Sequence, residues 1–104
     1  MELKDYRRQL DEIDSRMLEL FARRMDIAGE IALWKRDNHM PVLDLRREKE
    51  KLKTLEEKSP EDLKEYTVSL FSTIMELSRS RQNRILHPES PEAVAIEKAL
   101  KETP

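Results

Sequence analysis

Five side chains able to bind or polarise a ligand sit where a helix would be expected to bury something apolar. Counting in steps of three and four from Leu3 gives Leu3, Tyr6, Leu10, Ile13, Met17, Leu20, Arg24, Ile27, Ile31 and Trp34, a coiled-coil-like stripe with one guanidinium inside it. A cation on a core-facing stripe costs several kcal/mol unless a carboxylate or an anionic ligand meets it. Further along, Leu45, Glu48, Leu52 and Leu55 place a carboxylate on an inward position, and Phe71, Met75, Ser78 and Gln82 carry a third stripe from apolar to polar. Lys35 follows Arg24 by eleven residues. That spacing returns it to within about 20° of the same face, roughly 16 Å further along the helix. Two cations, a carboxylate, a hydroxyl and an amide from three segments can thus line one cavity, whose resources are charge and shape.

Each residue also has a plainer role. Arg24 alone is as readily a structural partner of Glu48 as a ligand-binding group. Lys35 alone reads as a solvated lysine at a helix end, where the macrodipole favours a cation. Ser78 and Gln82 alone read as ordinary, partly exposed residues, Asp44 as an N-cap, and Arg47 as a surface residue on the neighbouring face. His39 and His87 have no metal-ligand spacing with each other or with a carboxylate pair, and are read as loop residues. No metal site is expected. Arg79, Arg81 and Arg84 lack aromatic interleaving and a net positive domain, so a solvated face is expected there and not a nucleic-acid contact.

The elements that must carry these groups are helices. Glu, Lys, Arg and Leu dominate, there is one glycine, and β-branched residues do not gather into alternating runs. All five prolines, at 41, 60, 88, 91 and 104, fall where helical periodicity lapses. The first helix is expected from about Leu3 to Asn38, on the order of 54 Å long, too long for the remaining short helices of one chain to cover. It calls for a partner, most simply its own copy. Asp44 can cap a second helix reaching Lys58. Ser59-Pro60-Glu61-Asp62 predicts a third, with Ser59 as N-cap and Pro60 at the first helical position, reaching Leu86. Ser90-Pro91-Glu92 repeats that signal and opens a short last helix through Lys101.

At 104 residues, 40% of them charged, the chain reads as one domain with a modest core for a monomer. It has no cysteine, hence no disulfide framework or thiolate metal site. No apolar run approaches the roughly 20 residues of a membrane span, and Met-Glu-Leu-Lys-Asp is unlike a signal peptide, so a cytoplasmic setting without membrane contact is expected. The formal charge of -2 provides no global basic field for nucleic acid, so any anion site must be local.

The constellation is more specific than its parts. Arg7, Arg24, Lys35, the Asp44-Leu45-Arg46-Arg47-Glu48 segment after Pro41-Val42, then Ser78 and Gln82, resemble the all-helical (AroQ-type) chorismate mutases over residues 3–86. Ile13-Asp14, Ala22-Arg23-Arg24 and Phe71 also fit. The tail from His87 onward exceeds the minimal family core. The resemblance implies an all-α fold: an intertwined homodimer of three-helix protomers with a very long first helix, here a helical domain over 1–86 with a C-terminal extension over 87–104. It implies the unimolecular rearrangement of chorismate to prephenate, a shikimate-pathway step of phenylalanine and tyrosine biosynthesis, with no cofactor. Arg24 and the partner subunit's Arg7 would clamp the substrate carboxylates. Ser78 and Arg47 would assist at the carboxylate and hydroxyl side, and Glu48 with the backbone near Asp44 would meet the ring hydroxyl. Lys35 and Gln82 would donate to the ether oxygen. Geometry agrees on Arg7: it lies seventeen residues before Arg24, roughly 25 Å along the helix and about 100° around it, too far to share a ligand within one chain.

Two other readings stand beside this one. Isochorismate-pyruvate lyases share the fold and the carboxylate-binding cations, but are not expected to keep Asp44, Arg47 and Glu48 together. A noncatalytic dimeric helical module, for interaction or for regulation by an aromatic ligand, would have no need of Arg24, Glu48 and Gln82 facing inward together.

Overall fold

The computed structural model describes residues 1–89 and 91–102. The chain is all-α: α1 spans Leu3–Asp37, α2 Leu45–Lys58, α3 Lys64–Leu86 and α4 Pro91–Lys101. At 1.5 Å per residue the 35 residues of α1 extend about 52 Å. That nearly equals the longest dimension of the molecule, 53 Å. The radius of gyration is 16.6 Å, against about 13 Å for a compact domain of this length. The long helix sets the shape.

The start of α1 is closed by Asp5, whose carboxylate accepts the Glu2 backbone N–H at 2.9 Å. Its end is a Schellman turn: Met40 N–H reaches the Lys35 carbonyl at 2.8 Å and His39 N–H the Arg36 carbonyl at 3.2 Å. The turn requires a left-handed residue, and His39 takes that conformation with φ 56°. Asp44 caps α2 as expected, accepting the Arg47 backbone N–H at 3.0 Å.

The third helix starts later than its sequence signal. Ser59 closes α2 instead of opening α3, and Pro60 is extended with ψ 144°. A 3-10 turn over Glu61–Leu63 follows, and α3 begins at Lys64. The Ser59 hydroxyl, expected to cap α3, instead shares a hydrogen bond with the Thr67 hydroxyl one turn into that helix. The last helix runs to Lys101 as expected. Its predicted cap, Ser90, lies outside the described residues. Glu97 anchors α4 to α3 through Arg84 at 3.7 Å and pairs with Lys101 at 3.1 Å. Lys101, and then Arg84, hold its carboxyl below the ordinary value.

The helix α3 packs against both α1 and α2, while α1 and α2 make no direct backbone approach to each other. Apart from Arg24, which reaches Ser78, the stripe of α1 that meets α3 is not the Leu3–Trp34 seam. It is the neighbouring row in which Ala28, Gly29 and Ala32 are buried and Phe21 and Met25 half-buried. Small residues let the helices come close: a Cβ added at Gly29 would lie 2.7 Å from the Ile85 Cδ1. Every apolar member of the seam, by contrast, is at least 42% exposed in the single chain. The buried apolar core among the described residues is only Ala28, Ala32 and Met75. No helix among the described residues is long and apolar enough to cross a membrane.

Candidate active site

The gap between α1 and α2, floored by α3, is a cavity of about 330 Å³, within the size range of small-molecule sites. Arg24 and Lys35 reach it from α1, Asp44, Arg47 and Glu48 from the head of α2, and Ser78 and Gln82 from α3. Seven of the eight residues singled out in the sequence thus meet at one place. The eighth, Arg7, is exposed on the first turns of α1 and does not line the cavity of its own chain.

Arg24, Ser78, Lys35 and Gln82 are each held by a specific contact. The Arg24 Nη1 donates to the Ser78 hydroxyl at 2.6 Å, and that hydroxyl donates in turn to the Ile74 carbonyl at 2.9 Å. Ser78 is therefore oriented by its own helix and in turn orients the guanidinium. Lys35 Nζ donates to the Val42 carbonyl at 2.9 Å, which leaves two of its three donors available. This bond draws the segment after the α1 turn back toward the cavity, so Lys35 is half-buried and tethered, not a solvated helix-end lysine. Gln82 is buried at 7% exposure, and its Nε2 donates to the Ala28 carbonyl at 3.0 Å. An amide nitrogen carries two N–H donors, so one remains for a ligand. Taken alone, Gln82 reads in sequence as partly exposed. The close α1–α3 packing at Gly29 buries it instead.

The structural pairing open to Arg24 in the sequence, with Glu48, does not form. Glu48 pairs with Arg79 of α3, through Nη1 and Oε1. Arg79 also overturns its sequence reading as part of a solvated face: its side chain is 32% exposed and lines the cavity. Lys51, a further cation not singled out by sequence, lines it too. The signal for Arg79 was an inward Glu48 in need of a cation, with Arg79 directly after Ser78. Lys51 could have been found one turn beyond Glu48 on α2.

Five cations and two carboxylates therefore face one cavity in a chain whose formal charge is -2. Among the described residues Glu48–Arg79 is the one ion pair between them, and Arg24, Lys35, Arg47 and Lys51 have no carboxylate within 4.0 Å. A cluster of this kind, with Arg24, Lys35, Lys51 and Arg79 half-buried, gains most from an anionic ligand, because charges removed from water are less screened. The donors of Arg24, Lys35 and Gln82 are fixed by hydrogen bonds to the fold, which is the preorganisation that charge-stabilising sites need.

Comparison with curated proteins and with solved structures returns no match. A family model described as Chorismate mutase type II matches residues 6–83, three quarters of the chain's 104 residues. The match takes in Arg7 and every residue that lines the cavity. With its long first helix, its all-α architecture and its polar groups gathered between three helices, the chain belongs to the chorismate mutase type II family.

Proposed function

We propose that this protein catalyses the rearrangement of chorismate to prephenate, as an isomerase in phenylalanine and tyrosine biosynthesis, in the cytoplasm and without a cofactor. The observation that carries this reading is the convergence of Arg24, Lys35, Asp44, Arg47, Glu48, Ser78 and Gln82 on one cation-rich cavity. The substrate is a dicarboxylate that breaks one C–O bond and makes one C–C bond within itself. The protein's task is to hold the compact reactive conformer and to stabilise the charge that moves onto the ether oxygen.

Arg24, braced by Ser78, binds one carboxylate, and Arg7 of the partner subunit binds the other. Arg47 assists on the side of the cavity that α2 lines. Glu48 and the backbone at Asp44 meet the ring hydroxyl. The remaining donors of Lys35 and the second N–H of Gln82 point to the ether oxygen. Their interaction strengthens as the C–O bond breaks, so they lower the barrier more than they tighten substrate binding. The presence of Asp44, Arg47 and Glu48 on the same cavity favours the mutase over the isochorismate-pyruvate lyase.

The active unit is a homodimer built on the α1 seam. The nine apolar residues of that seam are each at least 42% exposed in one chain, a long apolar stripe, broken only at Arg24, of a kind that soluble monomers rarely leave uncovered. The test is direct: purified protein is given chorismate and isochorismate separately, and loss of chorismate absorbance is followed with prephenate identified as product. Turnover of isochorismate to pyruvate, or of neither compound by a folded dimer, would refute the assignment.

A further inference from the structure

The half-buried Glu48 carboxylate has a single polar partner among the described residues, Arg79. Arg79 is not one of the eight positions by which the sequence resembles its family, and in the mechanism above it does not touch the substrate. From this contact we propose that Arg79 is a positioning residue, which fixes Glu48 as the acceptor for the ring hydroxyl and keeps it off the cations that bind the carboxylates. The inference rests on the chorismate mutase reading of the cavity.

Without Arg79, Glu48 would have a choice of cations. Its side chain is 21% exposed and shares the cavity with Arg24, Lys35, Arg47 and Lys51. A carboxylate among four unpaired cations turns to one of them, since a charge-assisted hydrogen bond is about twice as strong as a neutral one. Either choice is harmful. Turning to Lys51 or Arg47 along α2 carries the acceptor away from the hydroxyl, and turning across the cavity to Arg24 or Lys35 neutralises a group the substrate needs.

Arg79 removes the choice. It holds Oε1 from α3, the helix that also carries Ser78 and Gln82, so acceptor and donors are referred to the same rigid element. The other carboxylate oxygen has no partner among the described residues and is left to accept from a ligand. The pair also secures the cavity end of α2. That helix buries no residue, and its other polar ties to the following segments, Ser59 to Thr67 and Lys64 to the Glu56 carbonyl, lie at its far end.

The test uses the full chain with chorismate as substrate and compares wild type, R79M, R79K, E48Q and the E48Q/R79M double variant, each checked for a folded dimer. Wild type should turn over. R79M should lower kcat by about 10- to 100-fold, the scale of a misplacement near 1 Å, with a much smaller change in KM. R79K should recover most of that loss. In the E48Q background, where no carboxylate remains to be held, R79M should change kcat little, so that the two effects are far from additive. This last comparison stands even if R79M alone does not fold, because the double variant leaves no unpaired carboxylate behind. A wild-type kcat in R79M, or an undiminished loss when R79M is added to E48Q, overturns the role of Arg79 and leaves the mutase reading intact. A wild type that folds and does not convert chorismate overturns that reading and this proposal with it.

Discussion

Replacing Gln82 with glutamate changes one atom's chemistry at nearly constant shape, and the surroundings of Gln82 determine the consequence. The amide is buried, with Nε2 on the Ala28 carbonyl at 3.0 Å. An ionised carboxylate there would set an oxygen against that carbonyl and would have no proton for the ether oxygen. Desolvation and the carbonyl contact favour the neutral acid, against the opposing pull of the cations that line the cavity. The carboxyl should titrate above its usual value near 4.3. While protonated, the variant carries one O–H where glutamine carries two N–H donors, and one hydrogen bond fewer costs about 1 kcal/mol, roughly fivefold in rate. Once ionised it has no donor, and loss of a preorganised donor costs about 10²- to 10³-fold in kcat.

Stability should move with the same proton. A carboxyl whose folded pKa lies above its unfolded value leaves the fold unharmed below about 4.3 and destabilises it as pH rises toward the folded value. Each unit of difference is about 1.4 kcal/mol. Two assays decide the matter: kcat of wild type and Gln82→Glu followed by chorismate absorbance across pH 5 to 8, and urea unfolding of both at the ends of that range. The wild type should be level where the variant falls. A variant profile parallel to the wild type would show that position 82 does not donate to the ether oxygen, and equal unfolding free energies at both ends would show that the Ala28 contact does not govern its charge.

Lys35→Ala should lower kcat by about 10²- to 10³-fold while KM moves much less, because in the proposed mechanism its free donors act mainly in the transition state; an unchanged kcat in steady-state assays would remove Lys35 from the mechanism. Arg7→Ala and Arg24→Ala dimers should each be nearly inactive, yet unfolding and refolding them together in equal amounts should restore about one quarter of wild-type activity. Random pairing makes half the dimers mixed, each with one complete site; no recovery despite subunit exchange would mean that Arg7 does not act across the interface. His39→Gly should raise the urea midpoint by the equivalent of about 1 kcal/mol with an unaltered slope, since only the left-handed residue of the Schellman turn gains freedom from strain; a lower midpoint would show that the histidine side chain contributes more than its backbone costs.

How far the sequence could be read depended on which question periodicity answers. A misplaced polar group on an apolar stripe announces the face of a helix, and Arg24, Glu48, Ser78 and Gln82 all lie on faces that meet at the cavity. It does not announce a partner. Arg24 and Glu48 looked like a natural ion pair because one cation and one carboxylate stood out, and the actual partner, Arg79, was hidden on the flank of its stripe beside two other arginines. Helix boundaries failed for a related reason: Ser59-Pro60 has the composition of a start signal, but only the three-dimensional path shows that Ser59 is already engaged in ending α2. The seam itself was legible as apolar, yet its residues are not what α1 buries against α3. That task falls to Ala28, Gly29 and Ala32, whose small side chains carry almost no hydrophobic signal and matter because they let two backbones approach. The large residues were left over, still apolar and still exposed in the single chain, and they are the surface that the proposed homodimer would cover.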